Sequence, residues 1–421
     1  MGLAERGPVR GLPKQDSAQG LAQGKARGLA WAFLAATLGL TACVADPNAA
    51  GYGSPLGLGG APAVPPSDAP GRRVAILLPL TGPNADVGQA LLRAAQLSLD
   101  GAGGAPLDAR DTGGTPSGAA EAARAALAGG AGILLGPLTA GETAAVAGVS
   151  RPAGVPVLAF TSDVTQAQPG VWTLGITPAQ QVRRLAQAVR ADGKTRLGAV
   201  LPQNAFGDAL GTGLSAATDE LGLPPPRVQR YGNGRAGLAP ALKEVSAYTE
   251  RHGAPGAPPA DPVPPPPVDA LLLAAGGPQL AQAAPLLAND DLGPAQVRLL
   301  GPATWAREAP QLGALSGAWY AAPDPTARAP FERAYAAKYG APPRDLASLA
   351  YDAAGVARVA ADRLGYPIGS LTRPQGFAGA DGVFVLLPDG QVRRGLAIFE
   401  VDRAGSHLVQ PAPGGAAAPG S

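Results

Sequence analysis

Short apolar runs alternate with longer segments of helical periodicity through most of the chain. The run 74–78 (VAILL) is continuously apolar, which fits a strand buried on both faces. A polar loop and a helix over 87–99 follow it. The pattern then predicts strands at 107–110, 132–135, 155–160 and 171–174, with helices over 117–127, 142–150 and 178–190. A second series follows, with strands at 196–201, 228–231, 268–273 and 297–300 and helices over 207–221, 238–250 and 278–288. Strands that alternate with helices in this way form parallel sheets with right-handed crossovers. Two series of about five units predict an α/β fold of two doubly wound parallel-sheet lobes. The ending departs from the alternation. Helices are predicted over 326–339 and 346–364, then a strand over 382–387 and a β-rich stretch to Val401, with Asp389-Gly390 as a hairpin turn.

Three stretches break the pattern. Residues 44–71 are rich in Gly, Pro, Ala and Ser and read as a tether that could reach about 90 Å fully stretched. Residues 253–267 (GAPGAPPADPVPPPP) favour extended polyproline conformation and read as a surface insertion between a helix and a strand. A linker between independent domains is the alternative. Residues 411–421 read as a disordered tail.

The N-terminal 43 residues have their own pattern. The run 29–40 (LAWAFLAATLGL) carries no charge and follows Lys25 and Arg27. A basic flank, a short apolar core and small residues before Cys43 make a secretory signal. Twelve such residues are too few for a permanent membrane span. Cys43 is the single cysteine, so no disulfide can form within one chain. The sequence Leu40-Thr41-Ala42-Cys43 resembles the lipobox of bacterial lipoproteins. The resemblance implies acylation of the Cys43 thiol, cleavage before it, and a mature chain anchored to a membrane by its N-terminus.

Charge changes with that cleavage. The whole chain carries +2, but the first 43 residues hold five Lys/Arg and two Asp/Glu. The remaining 378 residues keep 28 basic against 29 acidic side chains, a net charge of −1. No basic excess is left to grip nucleic acid. The chain has 60 Gly and 46 Pro, many of them gathered in the three irregular stretches, so the composition does not argue for disorder throughout.

The segments Ile76–Pro83 (ILLPLTGP) and Val87-Gly88-Gln89-Ala90 resemble the opening of type I periplasmic binding proteins of the leucine-binding class. So do 132–138 (GILLGPL), 154–160 (GVPVLAF) and Phe206-Gly207-Asp208. More narrowly, Gly136-Pro137-Leu138, 158–163 (LAFTSD) and Pro169-Gly170-Val171-Trp172 are similar to penicillin-binding protein activators, which are lipoproteins. Gly376-Phe377-Ala378-Gly379 and Arg394-Gly395-Leu396-Ala397 fit the same group. The best-known activators also carry an N-terminal helical-repeat domain, where this chain has the short tether. The resemblance implies one binding-protein domain over 72–410 with a ligand cleft between its lobes. Lobe 1 is expected over about 72–176 and 302–375, and lobe 2 over about 177–301 and 376–410.

Ligands in such folds sit at the C-terminal ends of strands, where helix N-termini point free N–H groups into the crevice. That rule selects Thr81, Asn84, Thr139, Gly141, Glu142, Thr161, Ser162 and Asp163 on lobe 1, and Asn204, Phe206 and Gln279 on lobe 2. Their hydroxyls and amides could orient a small polar ligand. Helix capping and turn chemistry are the alternative for Thr81, Asn84, Ser162 and Asp163. In the family's amino-acid binders a Thr closes the fourth-strand loop, a Tyr precedes the Gly of the second-lobe helix, and a Glu follows a Pro. The matching positions here are Asp163, Phe206 and Gln279. An ammonium would lack its counter-charge and a carboxylate would meet Asp163.

Catalytic patterns are scarce. His252 lies beside the Pro-rich insertion and His407 near the tail, so a Ser-His-Asp arrangement is not expected. One cysteine committed to a lipid and two distant histidines leave no Cys/His metal site, and no phosphate-binding GxxxxGK[ST] loop occurs. Neither a cofactor nor a metal is expected. The resulting expectation is a non-enzymatic, periplasm-facing lipoprotein. It would regulate peptidoglycan synthesis by touching a membrane-bound penicillin-binding protein. Val44 replaces the Asp that often retains lipoproteins at the inner membrane, which favours the outer membrane. The alternative is the substrate-binding component of an ABC importer, partnered by a permease, for branched-chain amino acids or related small polar ligands.

Overall fold

A computed structural model describes residues 71–100, 107–232, 235–253 and 262–413. Cys43, the tether up to residue 70, residues 254–261 of the Pro-rich insertion and residues 414–421 of the tail lie outside the described residues. No helix among the described residues is long and apolar enough to cross a membrane.

The first sheet contains β1 (Arg73–Leu78), β2 (Asp108–Asp111), β3 (Ala131–Leu135), β4 (Val157–Ala159) and β5 (Val171–Thr173), in the order β2-β1-β3-β4-β5. Every pair in it is parallel. The second lobe begins with β6 (Leu197–Pro202), β7 (Arg227–Tyr231), β8 (Ala270–Leu273), β9 (Arg298–Gly301) and β10 (Trp319–Ala322). A small antiparallel sheet follows, made of β11 (Phe377–Gly379), β12 (Gly382–Leu386) and β13 (Val392–Arg394). The last strands, β14 (Ala397–Asp402) and β15 (Gly405–Gln410), return to complete a seven-stranded sheet of order β15-β14-β10-β9-β8-β6-β7. Its two terminal additions are antiparallel. The architecture is therefore α/β with two doubly wound lobes, as the alternating pattern predicts.

The apolar runs become the cores. Ile76, Leu78, Ile133, Leu135 and Leu158 are fully buried against helices Ala85–Leu99 and Ala347–Ala360. Those two helices meet through small side chains, Ala94 and Ala95 on one and Ala350, Ala353, Ala354 and Ala357 on the other. Aromatics are few, so alanine stripes let the helices approach closely enough to exclude water. In each lobe a glycine seats a helix on its strand end. A Cβ on Gly88 would come within 2.1 Å of the Pro79 carbonyl oxygen, and one on Gly207 within 2.0 Å of that of Pro202. This close approach brings the first turns of helices Ala85–Leu99 and Ala205–Glu220 to the rim where ligands would bind.

The lobes divide the last third of the chain differently from the expected boundaries. The chain stays in the second lobe through β10, which pairs with β9 and β14 and buries Trp319 there. Helices Pro325–Tyr339 and Ala347–Ala360 then join the first lobe. So do β11–β13, because Phe377, Phe384, Leu386 and Val392 are buried in the first core. Only after Arg394 does the chain return. The lobes are thus joined by three crossings, near residues 174–177, 322–325 and 394–397. Gln180 and Arg184 of helix Pro178–Ala191 fasten the third crossing by donating to the carbonyl oxygens of Val392 and Leu396.

Two expected helices are broken. The segment 238–250 is Arg235–Val245 followed by Tyr248–His252, with Ala247 left-handed at φ 52° between them. The buried guanidinium of Arg251 takes the Ser246 carbonyl at 2.8 Å and fixes the break. The segment 278–288 is Gly277–Ala281 followed by Ala283–Asn289, because Pro285 has no N–H to continue the ladder. The helix expected to run to 364 ends at Ala360, where the Asp362 side chain accepts from the N–H groups of Leu364 and Gly365. The Pro-rich insertion does lie between a helix and a strand, but its end is not loose. Arg251 donates to the Pro264 carbonyl at 3.0 Å, and Pro266 is buried.

Candidate functional site

On the first lobe most of the candidate side chains satisfy one another. The Asp111 carboxylate, at the end of β2, accepts from the Thr81 hydroxyl at 2.7 Å and from the N–H groups of Leu80 and Gly113 at 2.8 Å. The Thr81 hydroxyl, together with these backbone amides, holds the Asp111 carboxyl below its ordinary range, against the opposing effect of burial. Thr81 therefore ties the β1 loop to the β2 end. Asn84 precedes helix Ala85–Leu99 and is exposed, yet its side chain makes no capping bond.

Thr139 and Glu142 form a reciprocal capping box at helix Ala140–Ser150. Glu142 is fully buried. It accepts from the Thr139 N–H at 3.0 Å, the Thr139 hydroxyl at 2.7 Å and the Thr112 hydroxyl at 2.5 Å. Its carboxylate is occupied by the fold and is not presented to a ligand. Gly141 is exposed in the same first turn, and a Cβ there would make only ordinary contact with Pro116 at 3.5 Å. Asp163 behaves as a cap: its carboxylate accepts from the Thr165 N–H at 3.0 Å and hydroxyl at 2.7 Å. The Thr161 hydroxyl accepts from the Asp163 N–H at 3.1 Å, while Ser162 stands exposed.

The second lobe brings its three candidates together. A polar concavity of about 450 Å³ lies at the C-terminal ends of β6 and β7, lined by Gln203, Asn204, Tyr231 and Gln279. A second hollow of about 220 Å³ shares Asn204, Tyr231 and Gln279 and adds Phe206 and Thr304. None of the first-lobe candidates lines either one. Asn204 caps helix Ala205–Glu220 by accepting from the Gly207 N–H at 2.9 Å. Phe206 is 38% exposed on that helix's first turn. The Tyr231 hydroxyl donates to the Ala274 carbonyl at 2.8 Å and lies 3.4 Å from the Gln279 side-chain oxygen. Burial pushes the Tyr231 phenol up, so it keeps its proton. A larger hollow of about 670 Å³ lies at the opposite ends of β4 and β5, among Arg151, Pro152, Val155, Pro169, Ile368 and Pro388. Its proline and aliphatic walls offer few groups that could orient a polar ligand, so the smaller concavity is the better candidate.

Sequence reasoning did not single out Asp111, Gln203, Tyr231 or Thr304. Each lies at or just after the C-terminal end of a strand, so the strand-end rule applied to every unit finds Asp111, Gln203 and Tyr231. Thr304 depends on where β9 ends.

The periplasmic binding protein family model matches residues 72–406. A comparison with curated proteins gives no match. Among solved structures, the C-domain of LpoA from Haemophilus influenzae, described as a regulator of PBP1A, is 17% identical with a TM-score of 0.61 over 80% of this chain and 99% of its own. A Rhodospirillum rubrum protein, assigned provisionally to a branched-chain amino acid ABC transporter, is 22% identical with a TM-score of 0.62 over 80% of this chain and 99% of its own. A branched-chain amino acid ABC transporter ligand-binding protein from Burkholderia xenovorans is 16% identical, with a TM-score of 0.59 over 82% of this chain and 95% of its own. At these identities the likenesses carry the fold alone. With the family model spanning both lobes and all three crossings, this chain belongs to the periplasmic binding protein family.

Proposed function

We propose that this chain is a non-catalytic lipoprotein facing the periplasm, anchored through Cys43, that regulates peptidoglycan synthesis by touching a membrane-bound penicillin-binding protein. One observation carries the reading. Among the described residues no charged side chain lines the second-lobe concavity, and the first-lobe carboxylates of Glu142 and Asp163 are bound by the fold itself. An importer of amino acids needs counter-charges for an ammonium and a carboxylate, and these residues do not supply them. A two-lobed fold without that equipment suits an interaction module. The likeness to the C-domain of a regulator of PBP1A supports the same reading. Val44 supports placement at the outer membrane. Crosslinking intact envelopes and purifying the chain tests the proposal: a penicillin-binding protein is expected among the captured proteins, and capture of an ABC permease alone overturns it.

The second reading, a substrate-binding component of an ABC importer, rests on the concavity itself and on the likeness to ABC transporter proteins. Anchoring is testable separately. Cys43→Ala removes the acyl acceptor and should abolish labelling by a fatty-acid probe. A mutant labelled as strongly as the wild type would refute the lipid anchor, and recovery of the wild type only with inner-membrane markers would refute the outer-membrane placement.

A further inference from the structure

We infer that the end of the first lobe opposite the cleft is a contact surface for an anionic lipid bilayer. Leu364 is 93% exposed, far more than any other large apolar side chain among the described residues, and Ile368 is 49% exposed. The fold fixes both in place. The Asp362 carboxylate accepts from the Leu364 N–H at 2.7 Å and the Gly365 N–H at 3.0 Å, and the Asp362 N–H donates to the Gly365 carbonyl at 2.8 Å. This tight turn holds Leu364 at its tip. Gly365 has φ 131°, and a Cβ there would come within 2.8 Å of the Gly71 carbonyl oxygen, so the turn is seated against the chain's entry into the fold. The Tyr366 hydroxyl donates to the Arg72 carbonyl at 3.0 Å and pins the same contact. Ile368 then lines the hollow of about 670 Å³ beside Arg151.

The same end is basic. Arg151 and Arg363 are exposed, and Arg72 and Arg73 stand at the start of β1. The described acids on this end are engaged within the fold: Asp362 in the turn, Asp389 on the Gln391 N–H at 2.9 Å, and Asp100 with Lys338. A single exposed leucine on a mobile loop would need no account. A leucine locked at a tip next to an arginine, above an aliphatic hollow with a second arginine at its mouth, suits the membrane interface. Its apolar side chains enter among the acyl chains while the guanidinium groups meet the phosphates. The processed chain as a whole carries −1, so attraction to anionic lipid has to come from a local gathering of arginines, which this end supplies. The anchor selects a bilayer over other occupants. Gly71 lies on this end and follows Cys43 by 28 residues, so an acylated chain enters the domain where Leu364 and the arginines stand. The choice of a bilayer therefore rests on the lipid anchor proposed above.

The test reconstitutes the full processed chain into vesicles that carry a trace of phosphatidylcholine with a photoactivatable diazirine in its acyl chain. One set is phosphatidylglycerol with phosphatidylethanolamine, the other phosphatidylcholine alone. Mass spectrometry maps the lipid adducts after illumination. Adducts are expected at Leu364 and Ile368 in the anionic vesicles, and not at Ser162 or Phe206, which are exposed at the cleft ends of the lobes. The double variant Arg151→Gln, Arg363→Gln should lower them about tenfold or more, and Leu364→Ser should lower the Ile368 adduct by a similar factor, each with an unchanged circular-dichroism melt. Absence of adducts on this end, equal labelling at Ser162 and Phe206, or equal labelling in neutral vesicles overturns the inference. So do variants labelled as strongly as the wild type, and so does capture of this end by a protein in crosslinked envelopes when vesicles leave it unlabelled. The same spectra read the mass of the peptide bearing Cys43. A chain without the acyl group refutes the anchor, while adducts at Leu364 still decide the contact.

Discussion

Asp352→Ala is expected to destabilise the first lobe by about 3–5 kcal/mol, the cost of stranding a buried charge. Asp352 and Arg394 have no solvent-exposed side-chain surface and meet at 2.9 Å. The other Asp352 oxygen accepts from the Ala380 N–H at 2.6 Å. Arg394 has little else to compensate it. Its guanidinium lies 4.7 Å over the Phe384 ring, while its Nε and Nη2 have no hydrogen-bond partner among the described residues. Asp381, the next acid, is engaged with Arg328 at 2.7 Å and Ser348 at 2.6 Å. Removing Asp352 would therefore leave an unpaired guanidinium in the core beside the third crossing. Urea unfolding followed by circular dichroism measures the loss, and a change below about 1 kcal/mol would show that the charge finds another partner. Replacing both residues, Asp352→Leu with Arg394→Met, should recover most of the stability, because apolar side chains of similar volume need no partner.

The same pair sets a pH dependence. Burial pushes the Asp352 carboxyl up to about 6; Arg394 pulls it down and Asp381 adds to the rise. A carboxyl raised in the fold holds its proton more tightly folded than unfolded. The stability it contributes is complete below the unfolded value, near 4, and is lost as pH rises through about 6. Asp352→Asn should flatten the stability profile between those limits. A profile in the variant as steep as in the wild type would assign the dependence to other groups.

The fold was legible because its signals are local. Five-residue apolar runs such as 131–135 and Thr or Asn caps such as Thr139, Thr177 and Asn204 need no knowledge of distant partners. The lobe boundaries were not legible, because they depend on pairing. The run 319–322 (WYAA) becomes second-lobe strand β10 only through β9 and β14, the latter about 80 residues later. The small sheet β11–β13 belongs to the first lobe because Phe377 and Phe384 fill that core, a choice no local pattern records. The candidate site divides in the same way. Thr139 and Glu142 stand at the right strand end, but their reciprocal bonds and the reach of Thr112 turn them inward. Asn204, Phe206 and Gln279 stand at equivalent ends and do share a cavity, because Tyr231 spans from β7 to the Ala274 carbonyl and to Gln279.

Leucine, isoleucine and valine are expected to bind the purified chain no more tightly than the millimolar range. A zwitterion in a desolvated cleft needs a carboxylate beside its ammonium and donors around its own carboxylate. Gln279 offers an amide where the family's amino-acid binders have a Glu, and Phe206 has no hydroxyl to donate. The Asp163 carboxylate is held by Thr165 at the end of β4, which puts a negative group where the ligand's carboxylate would arrive. Glu142 cannot replace the missing acid, because it is fully buried behind Thr139. Each lost charge-assisted hydrogen bond costs about 1.5–3 kcal/mol, or roughly one to two orders of magnitude in affinity. Two such losses weaken a micromolar site by about two to four orders of magnitude, and repulsion from Asp163 carries it into the millimolar range. Calorimetric titration with each amino acid decides the matter. A dissociation constant near 1 μM would place the importer reading first.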